Sequence, residues 1–130
     1  MTSSVDNYWQ IYNVGEKIQS ILHDIRAEGH HFGRPFVTAY QLAIIYRHRY
    51  SDDLPDLVVG GQGADVDVSL TSYLANQLSR RIRQGTINNI ELRFLSNLHL
   101  QDISFDNYGE EIRSSVIGHG LGQRMFRSVD

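Results

Sequence analysis

Apolar positions recur along the chain at two different periods, and the change of period divides it. From Val14 to Glu28 the residues Val14, Ile18, Ile21, Leu22 and Ile25 follow one another at three and four, the spacing of a helix with one buried face. Gly29, with His30 and His31 behind it, closes that helix. Gly33-Arg34-Pro35 forces an irregular connection, and Thr38 then stands where an N-cap belongs. A second helix runs from Ala39 to Tyr50, with Tyr40, Ala43, Ile44 and Tyr46 on one stripe, and ends at Ser51-Asp52-Asp53-Leu54-Pro55. Between Asp56 and Val68, Val58-Val59 and Gly60-Gly61-Gln62-Gly63 read as a loop with a short strand attached. Ser69 is the N-cap of a third helix, Leu70 to Gln84, with Leu70, Tyr73, Leu74, Leu78 and Ile82 facing inward and Gly85 as its stop.

Beyond Gly85 the helical period weakens. Ile90, Leu92 and Phe94 alternate like a strand, while Ile90, Phe94, Leu95 and Leu98 also fit a short helix, and period alone does not separate the two. His99 to Phe105 and Glu111 to Ile117 are strand-like, and Asp106-Asn107-Tyr108-Gly109 between them is turn chemistry, so a β-hairpin is expected. Gly118, Gly120 and Gly122 mark residues 118–130 as a loosely held tail. At the other end, Tyr8, Trp9, Ile11 and Tyr12 are too apolar to dangle and start the first helix or pack beside it. The expectation is an α+β domain over residues 1–117, a three-helix core followed by a hairpin, with a C-terminal tail over 118–130.

Composition narrows the class. The chain has 130 residues, of which 41% are hydrophobic, enough for one continuous core. It has no cysteine, which excludes disulfides and thiolate metal sites and suits a reducing cytoplasm, the expected location. Met1 to Gln10 carries Asp6 and no apolar stretch, so it does not read as a secretory signal. The longest purely apolar run, Leu42 to Tyr46, falls far short of the roughly 20 residues that cross a bilayer, and no membrane partner is expected.

The formal net charge is −3, yet the charges are segregated. Lys17 is the only lysine beside eleven arginines. Val68 to Ile90 holds Arg80, Arg81 and Arg83 and no acid, whereas Ser51 to Asp67 holds five aspartates and no base. Arginine suits bidentate contact with phosphate or carboxylate, so this bias points to a binding surface, with an ordinary solvated face as the plain alternative.

In the order of its elements, three helices and then a hairpin between Val14 and Ile117, the chain resembles the winged helix-turn-helix superfamily. That resemblance implies double-stranded DNA as a partner, a third helix in the major groove and a wing on the backbone or minor groove. Carried onto this sequence, it places nucleic-acid contacts at Ser72, Asn76, Gln77, Arg80 and Arg83, with Arg81 at the flank and Arg113 on the hairpin. Asn and Gln pair with adenine edges, and Arg with guanine edges or phosphates. The link between the second and third helices, about 18 residues, departs from the usual turn of roughly 3–4, and the hairpin turn carries Asp106, Glu110 and Glu111.

Other chemistry finds little purchase. The six histidines include no His-x-x-x-His pair, and no carboxylates accompany them at ligand spacing, so no metal or other cofactor is expected. His23 beside Asp24 on a helix, and His99 with Asp102 on a strand, would point apart, and no Gly-x-Ser-x-Gly turn occurs; an enzyme is not expected. Neither glycine cluster has the strand, helix and lysine of a phosphate loop. Tyr40 and Tyr46 read as core residues, with Tyr50 open between core and surface. Two functions remain: nucleic-acid binding through residues 69–84, or protein interaction, including homodimerisation, through segregated charge.

Overall fold

Thr38 opens a helix with its own side chain. Its hydroxyl oxygen accepts from the Gln41 backbone N–H at 3.2 Å, while the Gln41 side chain accepts from the Thr38 N–H at 2.7 Å, a reciprocal capping box. The computed structural model describes residues 4–27, 30–61, 69–115 and 123–130. Within them four helices form, α1 (Ser4–Ile11), α2 (Val14–Asp24), α3 (Ala39–Arg49) and α4 (Leu70–Gln84). Five strands accompany them: β1 (Val37–Thr38), β2 (Ile90–Phe94), β3 (Asp102–Asn107), β4 (Glu110–Ser115) and β5 (Arg124–Ser128). The α+β class expected from the periodicity is the class observed.

Helices α2, α3 and α4 bury the stripes that their spacing announces. Val14, Ile18, Ile21 and Leu22 meet Leu42, Ala43 and Tyr46 and then Leu70, Leu74 and Leu78 in one cluster. Tyr40 and Tyr46 belong to that core, and Tyr50 packs against it half-buried. The ambiguous segment after α4 is a strand, Ile90–Phe94. Its partner is the largest correction. Residues 124–128, expected to lie in a loose tail, form the central strand of a three-stranded antiparallel sheet of order β1-β5-β2, and Phe126 within it is fully buried. The glycine-containing part of that tail, residues 118–122, lies outside the described residues.

The expected hairpin forms with shifted bounds. β3 and β4 pair antiparallel from Asp102↔Ser115 to Asn107↔Glu110 around a two-residue turn, Tyr108-Gly109. Both turn residues have positive φ, 53° and 97°, the requirement that Gly109 meets without strain. His99 lies ahead of β3, and Ile117 lies outside the described residues. This hairpin is a separate sheet folded onto α3. Phe105 stacks on Tyr40 at 5.1 Å, Tyr108 stacks on His48 at 3.9 Å, and Ile112 sits so close to Gly61 that a Cβ there would meet it at 2.9 Å.

The long link after α3 is ordered by one side chain as far as Gly61. Arg47 donates to the carbonyls of Asp53, Leu54 and Leu57 at 2.5, 2.8 and 2.6 Å, and Leu54, Leu57 and Val59 turn into the core. No strand forms at Val58-Val59; their carbonyl oxygens instead receive the N–H groups of Leu70 and Thr71 at the start of α4. No described helix is long and apolar enough to cross a membrane.

Candidate nucleic-acid interface

Helix α4 has a buried first half and an open second half. Ser69 caps it by accepting from the Ser72 N–H at 3.1 Å, and the Ser72 hydroxyl donates back to the Ser69 carbonyl at 3.0 Å. With the 58–59 segment bonded to this first turn, every residue from Leu70 to Ala75 is buried. Ser72, expected on the outer face, is therefore only 1% exposed and serves the cap. Its place on the wheel is outward, but its hydroxyl is turned back onto Ser69.

From Asn76 onward the helix meets solvent. Asn76, Arg80 and Arg83 are exposed and follow at four and three residues, so they form one stripe. Gln77 and Arg81, also expected there, turn to one side together. Both are half-buried, the Gln77 side-chain oxygen accepts from Arg81, and the Arg81 guanidinium lies 4.0 Å from the centre of the Trp9 ring. Burial first, and then the charge of Arg80, holds the Arg81 pKa below the ordinary arginine value. This arginine clamps α4 to α1. Arg113 is not brought to the stripe as a free cation: on the hairpin it pairs with Asp102 at 3.3 Å and approaches Glu111 at 3.8 Å.

A residue absent from the sequence expectation joins the stripe. Arg124, at the start of β5, donates to the side-chain oxygens of Asn76 at 3.1 Å and Ser79 at 3.3 Å. Burial and the nearby charge of Arg83, in that order, lower its pKa. The alternation of Arg124, Phe126 and Ser128 on one side of β5 was the only trace of it in the sequence, and the glycines just upstream hid the strand.

Charge at this face is positive and local. Among the described residues, no carboxylate lies within ion-pair distance of Arg80, Arg83 or Arg124. Two of the described aspartates of the link are engaged elsewhere: Asp53 takes Lys17 at 2.5 Å and the Tyr46 hydroxyl at 2.8 Å, and Asp56 accepts from Tyr8. Asp65 and Asp67 lie outside the described residues. Beside the stripe, between α4 and the β2–β5 pair, an open cleft of about 660 Å³ is lined by Ser79, Arg83, Arg124 and Phe94 among others. Three or more metal-ligating side chains do not gather anywhere among the described residues.

Compared with known proteins, the chain matches no family model, no curated protein and no solved structure.

Proposed function

We propose that this chain is a winged helix-like domain that binds nucleic acid, with the second half of α4 as its contact element. The observation that carries the reading is the Asn76–Arg80–Arg83 stripe, reinforced by Arg124 and facing solvent without a carboxylate partner among the described residues. Unpaired arginines gathered on one helix face suit phosphates, and an adjacent asparagine suits a base edge. The element order supports the same reading. Helices α2, α3 and α4 pack as a unit, and the antiparallel pair β2–β5 follows α4 as a wing follows the third helix in the superfamily.

The β3–β4 hairpin has a different part in this proposal. It carries exposed Asp106-side acids at Glu110 and Glu111, its one arginine is paired, and its aromatic residues are spent on α3. It braces α3 and stays off the phosphates. The test is a titration of labelled duplex DNA at several salt concentrations, with the wild type beside Arg80→Glu combined with Arg83→Glu. Affinity that falls as salt rises, and is lost in the charge-reversed variant, fits the reading; no binding at low salt, or an unchanged affinity in the variant, refutes it.

A further inference from the structure

We infer that the cleft between α4 and the β2–β5 pair is a site for one nucleotide unit, its phosphate held between the guanidinium groups of Arg83 and Arg124 and its sugar or base laid on Phe94. The inference rests on the reading of α4 for the polymer that supplies the nucleotide, and it stands on the cleft itself for the phosphate.

Strand register builds the site. In the β2–β5 ladder Ile90 faces Ser128, Leu92 faces Phe126 and Phe94 faces Arg124. Side chains two apart on a strand share a side of the sheet, so this row starts in the core at Ile90 and Phe126 and runs outward to Phe94 and Arg124. Phe94 is 64% exposed, and the Arg124 guanidinium stands 5.9 Å from its ring centre. An aromatic ring at the open end of a row, beside a cation, is the arrangement on which a base stacks.

One acid, Glu91, also lines the cleft, and its carboxylate is already engaged. It pairs with Arg93 at 2.5 Å and with Arg127 at 2.6 Å. Its charge is used there, and Arg83 and Arg124 are left facing the cleft as two cations near enough for one to disfavour the protonated form of the other. A phosphate between them relieves that repulsion. Asn76 and Ser79 fix Arg124 in position, so the cation is oriented before any ligand arrives. The volume of about 660 Å³ falls within the range of small-molecule sites.

The test follows the side-chain guanidinium N–H signals of Arg83 and Arg124 by NMR at fixed ionic strength. Inorganic phosphate, a nucleoside monophosphate, a short single strand and a short duplex are added in turn. Phosphate moves both signals in the wild type, and the monophosphate binds roughly five- to a hundredfold more tightly because its base stacks. Phe94→Ala removes that gain and keeps the phosphate response. Arg83→Gln, at an exposed position where the fold does not depend on it, loses the response; Arg124→Gln does the same if it folds. No response to phosphate in the wild type, an unchanged response in Arg83→Gln, or equal affinity for phosphate and monophosphate overturns the site. If the monophosphate responds and neither oligonucleotide binds, the site stands for a free nucleotide and the reading of α4 falls. If the duplex binds with Arg83 and Arg124 signals unmoved, the reading of α4 stands and the site falls.

Discussion

Tyr46 is fully buried, and its hydroxyl donates to Asp53, whose carboxylate also holds Lys17. Burial first, and the Asp53 hydrogen bond second, raises the Tyr46 pKa well above its ordinary value. In the unfolded chain this phenol ionises near pH 10, whereas in the fold it keeps its proton. Above about pH 10 the unfolded state therefore binds fewer protons than the folded one, and stability falls as pH rises. Tyr46→Phe is expected to cost about 1–3 kcal/mol at neutral pH, since Asp53 loses a donor, and to decline less steeply than the wild type in alkali. Urea midpoints measured from about pH 8 to pH 11 check both parts; parallel curves for the two proteins would remove Tyr46 as the source. At the same scale Ser69→Ala is expected to lower stability by about 1 kcal/mol through loss of the α4 cap, read as a shift in the urea midpoint at constant slope. The caps at Thr38, Ser69 and Gly85 were legible because each is a local act of one side chain or one backbone angle. Ser72 is buried at the α4 cap, which a helical wheel does not show because it knows only its own helix.

Among the elements, β5 decides the most. It lies between β1 and β2 and sends Phe126 into the core against α2 and α3, so truncation there removes the centre of the sheet. Phe126→Ala is expected to cost about 3–5 kcal/mol, and removal of residues 124–130 to abolish cooperative unfolding in urea. A shortened chain that still unfolded in one sharp transition would contradict the central place given to this strand. Its pairing could not be read from the sequence, because its partners are distant in the chain and a five-residue strand offers little periodicity of its own. For the same reason the sequence of β2 fits strand and helix alike, and only its ladder with β5 settles it. The hairpin was easier. Its turn residues announce it locally, but its docking on α3 through Phe105 and Tyr108 depends on contacts that no period encodes. Arg113 accordingly read as a free cation, and Asp102 across the hairpin pairs with it.

For the molecule as a whole, a net charge of −3 and a cationic helix face are compatible because no described carboxylate pairs with Arg80, Arg83 or Arg124. Exposed acids stand at the hairpin turn, while Arg80, Arg83 and Arg124 stand together at the end of α4. A local cationic patch of this kind steers a polyanion toward that face more than it raises overall attraction. Three phosphate contacts imply a slope of about −3 when the logarithm of affinity is plotted against that of salt, and Arg83→Ala is expected to reduce its magnitude by about 1. A slope near zero would mean that binding, where seen, does not use these charges. The most direct test of the central claim is a map of backbone amide shifts in the full chain as duplex DNA is added. The largest changes are expected on residues 76–83 and at Arg124, with the hairpin from Asp102 to Ser115 unmoved. Changes confined to that hairpin, or none at low salt, would contradict it.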